Sequence, residues 1–349
     1  MEALRHDDPE QLGGYHPIGR IDLTDSAVPV PVRRFIARAP GGEQTVLLSL
    51  PRAEFDQDDG YARRFAAEAE QMRRLRGGGH GGVLEWVVQA HGAVNGQPPW
   101  YVSAYAPALP LPTAVAGHHG HCGLGERTVR ALGLALAHTL ATLHEQGFVH
   151  AGVAPGTVLL GTDGPRLTGF GSVRAAAPAD PNLAVVPGMS RTALAPEQLS
   201  GGQPRPPGDV FGLGAVLAYA ATGQQPPGSG LEAHPDTNRL SPALSEVIGS
   251  CLSTDPSARP PAVAVRHALT AAGRSQPTAQ PVPVSSGEAP ASPPATVVDG
   301  EALPAGATAS FGGGGAAGNG HGWSPGWLSG RVVAALARQS ADALAARGP

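Results

Sequence analysis

The alternation of apolar and polar residues predicts strands in the first part of the chain and helices after them. Residues 35–50, FIARAPGGEQTVLLSL, form two apolar-rich runs separated by a Gly-Gly pair, which is typical of a β-hairpin. Residues 61–76 place Phe65, Met72 and Leu75 on one helical face and are followed by a run of glycines. This segment is therefore predicted to be an amphipathic helix.

Two later segments are also predicted to be helical. Residues 126–147 form a long amphipathic pattern that ends at Gly147. Residues 209–223 are apolar around most of the helical circumference, which indicates a buried helix. Because the strands precede most of the helices, the pattern predicts an α+β fold with two lobes.

The C-terminal part of the chain has a different composition. Residues 273–325 are rich in Pro, Ser, Ala and Gly and lack a repeating apolar face, so they are predicted to be a flexible linker. Residues 326–347 are predicted to form a short amphipathic helix with Ser329 as a cap, and it can dock on the main domain or on a partner. We expect a tail at 1–14 and a folded domain at 15–272.

Charge and composition exclude several classes of protein. The formal net charge of −4 gives no strong attraction to nucleic acid or to an anionic membrane. No uncharged apolar run approaches the roughly 20 residues that span a bilayer, and the polar, acidic first residues are unlike a signal peptide. Cys122 and Cys251 provide no disulfide framework. We therefore expect a cytoplasmic protein without a membrane span.

The basic residues are all of one type. The 24 residues counted as Lys plus Arg are all arginine. A GC-rich genome accounts for this bias, but the chemical consequence is strict: no phosphate-binding or Schiff-base lysine exists in this chain.

A series of short motifs follows the order of the chain. They are F-x-x-E at Phe65 and Glu68, PWYVSAYAP at 99–107, His150 with the VLL of 158–160, GFG at 169–171, APE at 195–197, Asp209 at the start of the apolar helix, and DPSARP at 255–260. In this order and at these spacings the chain resembles the bacterial serine/threonine protein kinases, especially those of actinobacteria, over residues 15–272. The resemblance implies a small β-rich lobe with one helix and a larger helical lobe.

The resemblance also implies roles for residues that hold the shape of the large lobe. Glu197 and Arg259 are expected to form an ion pair, and Asp209 is expected to hold the backbone of the catalytic loop. The residues expected to stack as a hydrophobic spine are Met72, His150 and Phe170.

The residues that would carry phosphoryl transfer in this family are replaced. The family uses ATP and Mg²⁺, a lysine, metal-binding Asp and Asn residues and a catalytic Asp. The corresponding positions are Ser49 for the lysine, Gly152 for the catalytic Asp, and Thr157 and Gly169 for the metal ligands. We therefore expect no cofactor and no metal, and no catalytic residue is intact.

The nucleotide pocket is also altered, and its vestigial positions are Leu47, Glu68, Ser103 and Leu159. Leu47 and Leu159 are predicted to meet and fill the adenine slot, and Glu68 is predicted to lack its cationic partner. No glycine lies between Gly19 and Gly41, where the family has a glycine-rich loop.

Some residues offer substitutes or other chemistry. Arg52 could reach inward from the end of the third strand, whereas Asp163 is expected at a hairpin tip away from the phosphates. The HHGHC run at 118–122 has zinc-ligand residue types but crowded spacing, so an exposed loop is the simpler interpretation. Ser190 and Thr192 lie where activation-loop phosphorylation occurs in the family.

Three hypotheses follow. The first is a pseudokinase, a kinase fold that acts as a binding or regulatory scaffold for a protein partner, possibly an active kinase. The second is an active or residually active ATP-dependent serine/threonine kinase, and the third is a decaying gene product. A nucleotide thermal-shift assay with and without Mg²⁺ separates the first two.

Overall fold

The small lobe is built around an antiparallel sheet whose strand order is β1-β2-β3-β5-β4. The structure is a computed structural model and describes residues 1–22, 28–55, 58–75, 83–85, 87–93, 97–116, 123–176, 189–225, 240–274 and 327–346. The elements of the small lobe are β1 (His16–Arg20), β2 (Val32–Arg38), β3 (Thr45–Pro51), α1 (Asp59–Arg74), β4 (Val87–His91) and β5 (Trp100–Ala104).

The large lobe is mostly helical. Its elements are β6 (Ala108–Pro110), α2 (Leu111–Ala116), α3 (Glu126–Glu145), β7 (Val158–Gly161), β8 (Gly164–Leu167), α4 (Ser172–Ala175), α5 (Pro196–Leu199), α6 (Pro206–Thr222), α7 (Pro242–Cys251) and α8 (Ala262–Arg274). A second sheet of order β6-β7-β8 faces the small lobe and carries the loops of the cleft.

The predicted elements are present for the reasons that the pattern gives. Strands β2 and β3 form the predicted hairpin, and Gly41 and Gly42 adopt positive φ in its turn. Helix α1 buries Phe65 and Met72, as its apolar spacing requires. The predicted α+β, two-lobed fold is confirmed.

The core of the large lobe surrounds α6. Every residue of α6 from Gly208 to Ala221 is buried, which matches its uniformly apolar sequence. Helix α3 packs on α6 and α8 and contributes Leu132, Leu136 and Leu140 to the same core. The catalytic-loop segment lies between α3 and β7, against this core.

A last helix, α9 (Gly330–Ala345), packs back on the domain. Just before it, the Trp327 carbonyl accepts a hydrogen bond from Thr128 Oγ1 at 2.8 Å, and Trp327 Nε1 donates to the carbonyl of Thr162. Past its other end, the Ala346 carbonyl accepts a hydrogen bond from Arg38 of β2. The segment thus contacts both lobes, and α9 packs on β6, which follows the connection between them.

Candidate functional site

The catalytic-loop segment is held from behind by Asp209, in the first turn of α6. Its carboxylate accepts hydrogen bonds from the backbone N–H groups of His150, at 2.7 Å, and Ala151, at 2.8 Å. His144 Nε2 lies 2.9 Å from the same carboxylate. Since Asp209 is buried, these charge-assisted bonds fix the start of the loop.

His150 is part of the hydrophobic interior. Its ring is fully buried and meets the Phe170 ring edge-on at 5.5 Å, and Met72 is buried in the same core. Burial lowers the pKa of His150 to about 4. The imidazole is therefore neutral at physiological pH and packs as a ring.

Glu197 and Arg259 form the second support of the large lobe. The two carboxylate oxygens of Glu197 accept hydrogen bonds from Arg259 Nη1 and Nη2 at 2.7 and 2.8 Å. The Arg259 side chain is fully buried and also donates to the carbonyls of Ser253 and Pro207. This bidentate geometry fits the fork of a guanidinium.

On the cleft side, Thr157 uses its hydroxyl to hold the loop together. Thr157 Oγ1 donates to the Gly152 carbonyl at 2.8 Å and accepts from the Ala154 backbone N–H at 3.0 Å. The side chain is fully buried. Thr157 thus has a structural role at a position where the family has a metal ligand.

Glycines at two other positions let backbone segments approach closely. A Cβ on Gly152 would lie 2.0 Å from the Gly169 carbonyl oxygen. Gly169 has φ +76, and its Cβ would lie 2.8 Å from Thr157 Cγ2. An aspartate at either position would require the backbone to move.

Arg34 of β2 enters the region between Ser49, Thr157 and Gly169, which we call the phosphate end of the cleft. The strand register pairs Arg34 with Ser49, so both side chains project from the same face of the sheet. The Arg34 guanidinium is fully buried, donates to Thr168 Oγ1 at 2.9 Å and to the Gly156 carbonyl at 3.0 Å, and is paired with Asp22. It therefore bridges the two lobes.

The chain before β2 closes over the same region. A Cβ on Gly156 would lie 2.3 Å from the Pro29 carbonyl oxygen, so residues 28–30 touch the catalytic-loop segment. Val28 is buried in the main hydrophobic core, which extends through both lobes, and Val30 packs against it. The segment that corresponds to the family's glycine-rich loop thus lies against the large lobe.

Glu68 has a cationic partner, so the prediction that it lacks one is wrong. Its carboxylate accepts hydrogen bonds from Arg174 Nε at 2.8 Å and Nη2 at 2.6 Å. Arg174 also donates to the Val149 carbonyl at 2.7 Å and lies over the Phe170 ring. The pair connects α1 to the segment after GFG instead of to β3.

The two proposed substitutes do not enter the phosphate end. Arg52 donates to the Val30 carbonyl at 3.1 Å and pairs with Glu54, and its side chain is one-third exposed. Asp163 pairs with Arg166 at 2.6 Å in the β7–β8 turn. The inward cation is Arg34 and not Arg52.

The other end of the cleft retains a cavity of about 280 Å³. Leu47 and Leu159 belong to one buried cluster with Ile21 and Ala108, as their predicted meeting requires. The same side chains line the cavity beside the connecting residues 104–106. The two leucines therefore pack together as predicted, but they do not fill the adenine slot, because this cavity remains beside them.

A buried carboxyl lies at the back of this cavity. Glu85 accepts hydrogen bonds from Ser103 Oγ at 2.7 Å and Tyr101 Oη at 3.2 Å. Burial raises the pKa of Glu85 above its usual value. Ser103, predicted as a vestigial pocket residue, thus serves as a hydrogen-bond donor to Glu85.

The phosphate end does not fit a magnesium–nucleotide. Mg²⁺ prefers carboxylate and phosphate oxygens, whereas Thr157 and Gly169 supply none, and Asp22 is paired with Arg34. In the part of the chain that the structure describes, no group of three or more His, Cys, Asp and Glu residues is arranged to hold a metal. All five residues of the HHGHC run at 118–122 lie outside the described residues.

Ser190 and Thr192 lie in a short turn before α5. Their hydroxyls are 2.8 Å apart, and both are hydrogen-bonded to the Gln225 side chain. They are part-buried in this arrangement.

Among the described helices, none is long and apolar enough to cross a membrane.

Sequence reasoning missed three contributors to the site, namely Arg34, Glu85 and Arg174. The signal for Arg34 is present in the hairpin, because pairing Arg38 with Thr45 also sets Arg34 opposite Ser49. Glu85 and Arg174 act through contacts between distant segments, which no local pattern reveals.

Comparisons with known proteins agree with this architecture. The family model described as protein kinase domain matches residues 56–269. A probable serine/threonine-protein kinase, PkwA of Thermomonospora curvata, is 34% identical over 273 residues, which cover 74% of this chain and 34% of the relative. The serine/threonine-protein kinase AfsK of Streptomyces coelicolor is 28% identical over 272 residues, which cover 74% of this chain and 32% of the relative. The chain thus spans about one third of the length of these relatives.

A solved structure has the same fold. The crystal structure of the Mycobacterium tuberculosis PknI kinase domain matches with a TM-score of 0.58 and 21% sequence identity, over 75% of this chain and 97% of that chain. At this identity the likeness concerns the fold alone.

Proposed function

The chain belongs to the protein kinase domain family, with bacterial serine/threonine kinases among its relatives. From the residues of its site we propose that it is a pseudokinase. In this proposal the kinase-like domain binds and regulates a protein partner, for which an active kinase is the leading candidate, and does not transfer phosphate. Family membership argues the fold, whereas function must be argued from the site.

The observation that carries the proposal is the position of Arg34. Its buried guanidinium donates to Thr168 and to the Gly156 carbonyl, between the positions where a lysine and the metal ions would act in the family. A metal ion bound here would lack carboxylate ligands, because Asp22 is already paired with Arg34. The phosphate end is thus stabilised by the protein's own ion pair.

The loop geometry supports the same conclusion. The close approach of Gly152 to the Gly169 carbonyl excludes an aspartate at the position of the general base. Loss of a general base alone lowers a rate by about 10²–10⁴. Since the base, the lysine and both metal ligands are replaced, several independent contributions to phosphoryl transfer are lost together.

The first experiment measures nucleotide binding and transfer with the purified chain. We expect no Mg²⁺-dependent thermal shift with ATP and no ATP affinity tighter than ~1 mM, which corresponds to about −4.1 kcal/mol. We also expect no incorporation of labelled γ-phosphate into the chain or into a basic substrate. Stoichiometric incorporation that is abolished by heat-unfolding would establish an active kinase instead.

A variant tests whether Arg34 is responsible for the closed phosphate end. Arg34→Met removes the cation and leaves Asp22, Thr168 and the Gly156 carbonyl without it, so we expect a loss of about 2 kcal/mol in the free energy of unfolding. Phosphoryl transfer should stay absent, because no base is restored. Arg63→Met, on the exposed face of α1, is the matched control and should leave stability unchanged. Equal stability of the two variants would contradict the role of Arg34.

A further inference from the structure

Residues 327–346, which we call the C-terminal strap, lie across the boundary between the two lobes. Four of their side chains are buried in the main hydrophobic core of the domain, namely Trp327, Leu328, Val332 and Leu336. Burial of apolar side chains is the dominant favourable term in packing. The strap is therefore part of the interior of the domain, although α8 ends much earlier in the chain, at Arg274.

Three hydrogen bonds tie the ends of the strap to different elements. Near its start, Thr128 of α3 donates to the Trp327 carbonyl at 2.8 Å, and Trp327 Nε1 donates to the Thr162 carbonyl in the β7–β8 turn at 3.3 Å. Past the end of α9, Arg38 of β2 donates to the Ala346 carbonyl. Between these points α9 has 16 residues and is a rod of about 24 Å. Movement of β2 away from α3 must therefore detach one end of the strap.

The strap also supports two walls of the cavity beside residues 104–106, which we call the hinge-side cavity. Ala108 of β6 lines this cavity, and α9 packs on β6. Asp163 lines it as well and follows Thr162, whose carbonyl accepts the Trp327 hydrogen bond. Detachment of the strap is therefore expected to loosen both walls.

The face that α9 buries includes a polar side chain. Gln339 is 2% exposed, and among the described residues its Oε1 atom has no hydrogen-bond partner. On another face of the same helix, Val333 and Leu344 are 43% and 55% exposed. Burial of an amide oxygen without a hydrogen bond opposes docking. The strap is thus held more weakly than it would be with an apolar residue at position 339.

We propose that the C-terminal strap is a releasable restraint on the cleft. When docked it holds the two lobes together, and when detached it lets them separate and opens the hinge-side cavity. Its attachments to both lobes oppose opening, whereas the buried Gln339 keeps docking reversible. A helix held by a few apolar side chains can open locally while the rest of the domain stays folded. The proposal concerns the distance between the lobes, so it does not depend on whether the cleft transfers phosphate.

The experiment measures the distance between the lobes in the whole chain by double electron–electron resonance. Nitroxide labels are attached to Arg63→Cys in α1 and Ala268→Cys in α8, which are exposed positions in different lobes. Cys122→Ser removes a competing thiol. Burial raises the pKa of Cys251 to about 12, so this thiol stays protonated and is not labelled. Hydrogen exchange of α9 in the same proteins reports whether the strap is docked.

Two double variants of the strap form a matched pair. Trp327→Ala/Leu336→Ala removes buried side chains, so hydrogen exchange in α9 should speed up at least about tenfold. In this variant the distance between the labels should shift to longer values and its distribution should broaden. Val333→Ala/Leu344→Ala removes exposed apolar side chains from the same helix and should change neither measurement. Gln339→Leu should act in the opposite direction, with slower exchange in α9 and a narrower distance distribution.

Three results would overturn the proposal. The first is faster exchange in α9 with an unchanged distance between the labels, because the segment would then dock without restraining the lobes. The second is an equal effect of the buried and the exposed double variants, and the third is faster exchange in α9 of Gln339→Leu than in the native chain. Thermal unfolding shows which variants keep the folded domain. If the buried double variant does not fold, Gln339→Leu decides the proposal through the same two measurements.

Discussion

The back and the front of the catalytic-loop segment differ in how they relate to the kinase family. Behind the loop, Asp209, His150 and the Glu197–Arg259 pair keep both the residue types and the contacts that the family resemblance implies. In front, Gly152 and Thr157 are hydrogen-bonded to each other, from the Thr157 hydroxyl to the Gly152 carbonyl. Thr157 holds the loop backbone, and Arg34 bridges the lobes.

This difference shows that the shape of the loop and its chemistry depend on separate residues. The back of the loop is stabilised by buried charge-assisted bonds, which are costly to break. At the front, Thr157 and Arg34 make internal contacts that leave this support intact. Three variants test how independent the two sides are.

The largest effect is expected at the back of the loop. Glu197→Ala leaves the fully buried Arg259 guanidinium without its carboxylate, so the free energy of unfolding should fall by about 3–5 kcal/mol. Denaturant unfolding measures the change. The control is Glu70→Ala, which breaks an exposed pair with Arg73 and should give no measurable change. A Glu197→Ala variant as stable as this control would show that the large lobe does not rely on the pair.

The next effect depends on pH and concerns His150. Its folded pKa of about 4 lies below the unfolded value of 6.5, so the unfolded chain binds a proton that the folded protein excludes between these values. The stabilisation from neutral His150 is complete above pH 6.5 and is lost as the pH falls toward 4, by up to about 3 kcal/mol.

His150→Leu removes this titration and keeps an apolar side chain in the core. The variant should lose less stability than the native chain between pH 7 and pH 4, measured by urea unfolding at each pH. The carboxylates of the protein titrate equally in both chains, so the difference between the two stability profiles reports the titration of His150. Parallel pH profiles for the two proteins would contradict a neutral, buried imidazole.

The smallest effect is expected on the cleft side, at the Glu68–Arg174 pair. Glu68→Gln removes a charge from a partly exposed pair, and the loss should be about 1 kcal/mol. Hydrogen exchange in α4 should increase, because the neutral amide accepts a weaker hydrogen bond from Arg174 than the carboxylate does. Asp163→Asn, in another exposed pair with Arg166, serves as the control for charge removal. No change in α4 exchange would show that Glu68 does not restrain this segment.

The fold could be predicted from the sequence, because its signals lie within short segments and the motifs follow one another in a fixed order. The hairpin turn at Gly41 and Gly42, the apolar circumference of α6 and the motif order each depend on neighbouring residues. The candidate site was predictable only where a motif position is itself the functional group, as at Asp209. The prediction that Glu68 lacks a cationic partner was wrong, because Arg174 lies more than a hundred residues away and no periodic pattern links the two.

Helix α9 has a consequence for competition between ligands. It belongs to the same polypeptide as the surface that it covers, so its docking is an intramolecular equilibrium that does not change on dilution. A second protein must instead bind from solution and displace Trp327 from Thr128 and Thr162. A protein that bound this face would therefore need a high concentration or a high affinity to compete with the segment that covers it.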